Sequence, residues 1–110
     1  MLNRCEFIGN VGTDPQIIIV GKDNKKASFR LASTERYTDS KGEKKEKTTW
    51  VNVVIWGGLA TVAEKFVKKG SKLFIAGKLD NREYTTDEGE KKYITEIVVS
   101  ELELLDKKED

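Results

Sequence analysis

The chain has 110 residues, one cysteine and no histidine, and its 20 basic and 19 acidic residues leave a formal charge of +1. Without histidine it cannot supply a Ser-His-Asp triad, an imidazole base or a histidine metal ligand. Cys5 alone cannot close an intrachain disulfide or build a multi-cysteine metal site, so we predict no metal, no cofactor and no enzymatic activity.

The length suits one domain with a single core. The first residues show no apolar run behind a basic start, and the longest apolar runs, such as residues 17–20, are far shorter than the ~20 residues of a membrane span. We therefore expect no signal peptide and no membrane partner. A cytoplasmic location follows from this expectation.

Short β-branched or alternating segments, separated by glycine-rich and polar stretches, predict strands. In chain order we predict strands over residues 3–8, 16–20, 27–34, 48–56, 72–79 and 92–99. Residues 37–47 are polar and highly charged and predict a long exposed hairpin loop. A second polar hairpin turns at residues 87–89.

Residues 59–69 form the one convincing helix, because their apolar positions repeat at i, i+3, i+4, i+7 and i+8, and Gly70 follows as a stop. That stripe consists of Leu59, Val62, Ala63, Phe66 and Val67. A helix between the third and fourth barrel strands predicts an all-β OB-fold, a five-stranded antiparallel barrel with long hairpin loops. We place this domain at residues 1–100 and expect residues 101–110 to be a short, flexible acidic end.

The segment 49–56 carries the clearest functional signal. Because side chains alternate along a strand, Val51, Val53 and Ile55 form one aliphatic face suited to a barrel interior. The opposite face then carries Trp50, Asn52, Val54 and Trp56. Exposed indoles can stack on any base, which contributes about 1–3 kcal/mol per base.

Two other functions are alternatives to nucleic-acid binding: a protein-interaction module and a nuclease. Aromatic side chains are also enriched at protein interfaces, so the chain could be an OB-fold protein-interaction module whose tryptophan face packs on a partner. A Mg²⁺-dependent nuclease would need clustered carboxylates, and no acidic motif with ligand spacing is present. Tyr37 and Tyr84, in polar hairpins beside basic residues, favour nucleic acid.

The charge distribution agrees with this hypothesis. The first hundred residues hold 18 basic and 14 acidic residues, a formal charge of +4, and the last ten are acidic. The predicted domain is therefore more basic than the whole chain. Phosphate neutralisation needs only a local basic groove.

Several motifs in order resemble bacterial single-stranded DNA-binding proteins over residues 2–100. They are GNVGTDP at 9–15, FRLAS at 29–33, TWVNVVIWG at 49–57, VKKGSKLFIAGKL at 67–79 and REY at 82–84. The resemblance implies an OB-fold homotetramer that binds and protects single-stranded DNA without sequence preference. It also implies roles in replication, recombination and repair, and a place at the nucleoid.

The resemblance places the stacking aromatics at Tyr37, Trp50, Trp56 and Tyr84. It places family basic positions at Arg4, Lys69 and Arg82. We also expect phosphate contacts from Arg30, Lys45, Lys72 and Lys78. Asn52 and Glu83 stand where the family often has a basic residue, and Gly58 where it often has lysine.

Family members usually carry a Gly/Pro/Gln-rich tail whose acidic tip ends in Pro-Phe and docks partner enzymes. The sequence here stops at residues 105–110 without that pattern. Either the sequence is truncated or this member lacks the docking role. On this sequence we do not expect docking of replication and repair enzymes.

Overall fold

Six strands and one short helix make up residues 1–105, the part of the chain that the computed structural model describes. In chain order they are β1 (Cys5–Val11), β2 (Gln16–Val20), β3 (Asn24–Thr38), β4 (Lys44–Trp56), α1 (Gly58–Phe66), β5 (Lys72–Thr85) and β6 (Lys91–Leu104). Each predicted element is present, and β2 has the predicted bounds. None of the helices in this part of the chain is long and apolar enough to cross a membrane.

The strands close into a barrel. β1 pairs with both β3 and β5, β5 pairs with β6, β6 with β4, and β4 with β3, so five strands form a ring. β2 lies outside the ring, against the first part of β3. This confirms the predicted five-stranded OB-fold within the described residues. The sequence predicts an antiparallel barrel, but one pairing, β4 with β6, is parallel.

The core follows from alternation along the strands. Inward positions of β3, β4, β5 and β6 supply the largest fully buried side chains, which are Leu31, Val53, Ile55, Leu73, Ile75 and Ile97. Cys5 and Phe7 of β1 pack against this cluster, as a small apolar cysteine would. Val54 is the exception to the expected pattern: it points outward but is buried, between Ser28 of β3 and Val98 of β6.

Residues 37–47 differ from the predicted loop, because β3 and β4 continue as a two-stranded ribbon beyond the barrel. The pairing runs out to Tyr37↔Lys45 and Thr38↔Lys44, and only the turn between them is irregular. Asp39 shapes that turn, since its Oδ1 accepts the backbone N–H groups of residues 41 and 43. Cross-strand polar pairs hold the ribbon without an apolar face.

The helix is shorter than predicted. It ends at Phe66, because Val67 is already extended, and it buries Ala60 and Ala63. Phe66 is 61% exposed and Val62 is also exposed, so the predicted stripe is wrong for these two residues. The nine-residue helix lies against the barrel through its small alanines, and that contact covers only a narrow face.

β6 continues through Leu104, and the backbone N–H of Leu105 donates to the carbonyl oxygen of Lys72. Residues 101–104 therefore lie in the sheet. Residues 106–110, the rest of the predicted acidic end, lie outside the described residues. The division at residue 100 stays a prediction.

Gly77 and Gly58 should respond oppositely to alanine. Gly77 lies at the β5 bulge, where an added Cβ would overlap the carbonyl oxygen of Val98. We expect Gly77→Ala to lower the free energy of unfolding by about 1–3 kcal/mol. Gly58, in the first turn of α1, has open space around it. Gly58→Ala should raise that free energy by ~0.4–1 kcal/mol, because it restricts the unfolded chain. Urea denaturation measures both, and equal effects would contradict the packing at the bulge.

Candidate nucleic-acid interface

The outward face of β3 and β4 carries both tryptophans, as alternation predicts. Trp50 and Trp56 lie six residues apart on β4, which separates them by about 20 Å at ~3.4 Å per residue. Trp50 is 48% exposed and Trp56 is 39% exposed. Each indole therefore leaves part of its surface open to a ligand. We call this surface of β3 and β4 the tryptophan face.

Trp50 is held between a guanidinium and a glycine. The guanidinium carbon of Arg30 lies 4.8 Å from the centroid of the indole ring. A Cβ added at Gly12 would overlap the six-membered ring, so only glycine leaves room for it. The backbone N–H of Gly12 donates to the carbonyl oxygen of Arg30 at 2.8 Å. Arg30, predicted as a phosphate contact, thus also positions an indole.

An open cleft of about 540 Å³ is lined on β4 by Asn52 and Val54, the outward positions between the two tryptophans. Its walls come from β2, β3, β4, β5, β6 and the loop before β2, and its polar groups include Arg30, Asn52 and Arg82. We call it the central cleft. Glu96 of β6 lies at its floor beside Asn52 and is only 6% exposed.

Arg82 compensates the buried carboxylate of Glu96. The Nε–H group of Arg82 donates to Glu96 Oε1 at 3.1 Å, and the arginine side chain remains 46% exposed. Burying a carboxylate without a partner is costly, so this ion pair has a structural role. Arg82, predicted as a phosphate contact, therefore shares its charge with the floor of the cleft.

The predicted lysines are dispersed. Lys78 lies opposite Val98, on the same side of the sheet as Val54 and the tryptophan face. The backbone N–H of Lys69 donates to Asp14 Oδ1 at 2.8 Å, which fixes this residue beside a wall of the central cleft. Lys72, at the start of β5, lies opposite Asn10 of β1 and outside the residues that line the cleft.

Arg4 does not line the central cleft; it lines a separate open cleft with Lys78 and Val98. Its guanidinium forms ion pairs with Glu6 at 2.9 Å and Glu101 at 3.4 Å. The hydrogen bond that Arg4 donates to Glu6 and the negative charge of Glu101 raise the pKa of Arg4 above its ordinary value. Arg4 is therefore a permanent cation whose nearest partners are already two carboxylates.

The tyrosines occupy different faces. Tyr84 lies opposite Lys92 on β6, and Arg82 lies opposite Ile94, so Tyr84 and Arg82 share one face of the β5–β6 ribbon. Tyr37 pairs with Lys45, and this register places it on the opposite side of the β3–β4 ribbon from the tryptophans. The structure brings Trp50, Trp56, Arg30 and Arg82 to one surface.

Lys45 stays near Tyr37 and is not part of that surface. Its Nζ lies 3.7 Å from Glu43 Oε2 and 3.9 Å from Asp39 Oδ2. With Tyr37 and Arg36 it lines a second open cleft of about 660 Å³ on the ribbon. Tyr37 and Lys45, both predicted DNA contacts, therefore lie on a surface separate from the central cleft.

Three features of the site, and one exposed aromatic side chain outside it, are absent from the sequence prediction. The contact of Gly12 with the Trp50 ring joins distant segments, and the burial of Glu96 depends on a parallel pairing, so no local pattern signals either one. Lys26 lies with its Nζ 5.6 Å from the ring centroid of Trp56. Tyr93 is 71% exposed. It follows Lys92, the cross-strand partner of Tyr84, so Tyr93 and Tyr84 lie on different faces of the β5–β6 ribbon. Strand alternation could have found Lys26 and Tyr93.

Within residues 1–105, no group of three or more Cys, Asp or Glu side chains is arranged to hold a metal ion. The groups present at the central cleft and the tryptophan face are indole rings, guanidinium and ammonium groups, amides, the buried carboxylate of Glu96 and the carboxylate of Asp14. Such a surface is chemically suited to a ligand with flat apolar rings and negative charge.

The Arg82–Glu96 pair can be tested separately from any ligand. We expect Arg82→Met to lower the free energy of unfolding by about 1–3 kcal/mol, because it leaves a buried carboxylate without a partner. The double variant Arg82→Met with Glu96→Gln should recover most of that loss. Guanidinium chloride denaturation measures both variants. An unchanged midpoint for Arg82→Met would show that the pair has no structural role.

Comparisons with known proteins agree on one family. The model of the "Single-strand binding protein family" matches residues 2–105. "Single-stranded DNA-binding protein 1" of Xylella fastidiosa is 41% identical over 110 residues, covering 99% of this chain and 81% of the relative. A "Single-stranded DNA-binding protein" of Rickettsia felis is 45% identical over 113 residues, covering 97% of this chain and 74% of that relative.

A solved structure adds the fold. The chain in "Plasmodium falciparum SSB complex with ssDNA" superposes with a TM-score of 0.85 and is 35% identical. The match covers 96% of this chain and 97% of that chain.

Proposed function

Because the chain belongs to the single-strand binding protein family, we propose that it binds single-stranded DNA on the tryptophan face and protects it, without sequence preference. The observation that carries the proposal is the geometry of that face. It presents two part-exposed indoles, each with a basic side chain over its ring, and both of these basic side chains line an open cleft.

Bases would stack on Trp50 and Trp56 while basic side chains bind the phosphates. Stacking tolerates any sequence because every base has a π-face. The register supports a phosphate contact at Arg30. Asn52 stands where the family often has a basic residue, and Arg30 lies directly opposite it on β3. Arg30 therefore supplies a positive charge next to the position where the family often has one, in the same cross-strand pair.

The remaining predicted residues extend this path in the proposal. Lys69, Lys78 and Arg82 lie beside the central cleft or on its side of the sheet, and Tyr84 shares a face with Arg82. Tyr37 and Lys45 would be reached only by DNA that continues around the β3–β4 ribbon. Arg4 and Lys72 do not line the central cleft and would contact only DNA that extends beyond it.

We further propose that the protein is not an enzyme and acts by holding DNA during replication, recombination and repair, in the cytoplasm at the nucleoid. A homotetramer would let a long strand pass over several copies of the face. Ile8 and Phe74 support self-association: they pair across β1 and β5, point away from the core, and Ile8 is exposed. Sedimentation showing only monomer at micromolar concentration would contradict the tetramer.

Titration with poly(dT) tests the proposed function. Intrinsic fluorescence should be quenched as the indoles stack, and the quenching should weaken as salt is raised, because phosphate contacts release counterions. No quenching at low salt would contradict the proposal. Indoles that acrylamide cannot reach in the free protein, together with no effect of DNA, would favour the protein-interaction module instead.

Replacing the indoles should reduce affinity directly. We expect Trp50→Ala and Trp56→Ala each to weaken binding of a labelled dT oligonucleotide by about 1–3 kcal/mol, roughly 5- to 150-fold. Fluorescence anisotropy of the oligonucleotide measures this without relying on the indoles. Affinities within twofold of the parent protein would exclude the tryptophan face.

Tyr84 and Tyr93 offer a matched pair on opposite faces of one ribbon. We expect Tyr84→Ala to lose about 1–3 kcal/mol of binding free energy, through lost stacking. Tyr93→Ala should leave the affinity unchanged, although Tyr93 is the more exposed ring. The same anisotropy assay compares them, and a larger loss for Tyr93→Ala would reverse the assigned path.

A further inference from the structure

We infer that Lys26 is a further DNA contact, and that Lys26 and Trp56 act together as one nucleotide seat. In this seat the indole stacks on a base and the ammonium binds the phosphate attached to that nucleotide. The inference rests on the proposed function and adds a residue that neither the sequence motifs nor the family resemblance identifies.

The register places three side chains in one row across the sheet. Ile18 of β2 lies opposite Lys26 of β3, and Lys26 lies opposite Trp56 of β4. The Nζ of Lys26 is 5.6 Å from the indole centroid, so the ammonium stands over the ring. Both Ile18 and Lys26 line the central cleft, and both Ile18 and Trp56 are partly exposed. The row therefore has an aliphatic wall, a cation and an aromatic platform.

The charge of Lys26 is available to a ligand. Lys26 has no ion pair with another of residues 1–105. Its neighbour Lys25 points to the other side of β3, where its Nζ lies 2.7 Å from Glu64 Oε1 on α1. Of these two consecutive lysines, Lys25 forms an ion pair with the helix and Lys26 lines the central cleft. Only Lys26 faces the cleft.

A lysine over an indole suits a dual role. Its four-carbon stem can lie along the apolar ring while the ammonium stays hydrated and mobile. When a base takes the ring face, the ammonium can swing to the adjacent phosphate without breaking another ion pair. Trp56 would then bind the base and Lys26, its cross-strand partner, would bind the phosphate. The contribution of each residue to affinity should therefore depend on the presence of the other.

The test compares Lys26→Met with Lys25→Met, which removes the same charge on the opposite side of the strand. The full chain is titrated with a labelled dT oligonucleotide at several salt concentrations. For one lost single-strand phosphate contact, the slope of log affinity against log salt should fall by about 0.7, which is about fivefold in affinity at 0.1 M salt. Lys25→Met should keep both the slope and, within twofold, the affinity.

Equal effects of the two substitutions, or tighter binding by Lys26→Met, would overturn the inference. The coupling is tested in a Trp56→Ala background. There Lys26→Met should change affinity by less than twofold, since the base that brings the phosphate is no longer held. An undiminished loss in that background would also overturn the shared seat. Failure of the parent protein to bind the oligonucleotide would instead reject the proposed function.

Discussion

The pairing of β3 with β4 is the constraint on which the rest of the molecule depends. One unbroken register joins them from Lys26↔Trp56 to Thr38↔Lys44. Because side chains alternate, this register buries Val53 and Ile55 and turns both tryptophans outward. A shift by one residue would place the indoles in the core and aliphatic side chains on the surface. Core formation and the exposure of the tryptophan face are therefore set by the same hydrogen bonds.

The same pairing distributes charge locally. Basic side chains of β3 stand over the indoles of β4, and the buried Glu96 draws Arg82 toward the centre of the cleft. Other cations, such as Arg4 and Lys45, are matched with nearby carboxylates. A chain with a formal charge of only +1 can thus present a basic, aromatic surface. The proposed affinity comes from this arrangement and not from net charge.

The sequence predicted what depends on local alternation and composition. The OB-fold, the family and the outward tryptophans are confirmed, and the wider list of DNA contacts stays a prediction. The sequence does not predict the ribbon at residues 37–47, because paired polar strands carry no apolar period. It does not predict the exposure of Val62 and Phe66, because the nine-residue helix buries only its alanines. Glu96 and Gly12 depend on contacts between distant segments, which no local pattern encodes.

The most direct test of the central claim observes the two indoles themselves. In a ¹⁵N-labelled sample each tryptophan contributes one indole N–H resonance, and single-residue substitutions assign the two signals. We predict that adding a dT oligonucleotide shifts both resonances and leaves the backbone signals of Ile8 and Phe74 in place. DNA binding that moves neither indole signal would contradict the claim that the tryptophan face is the binding surface.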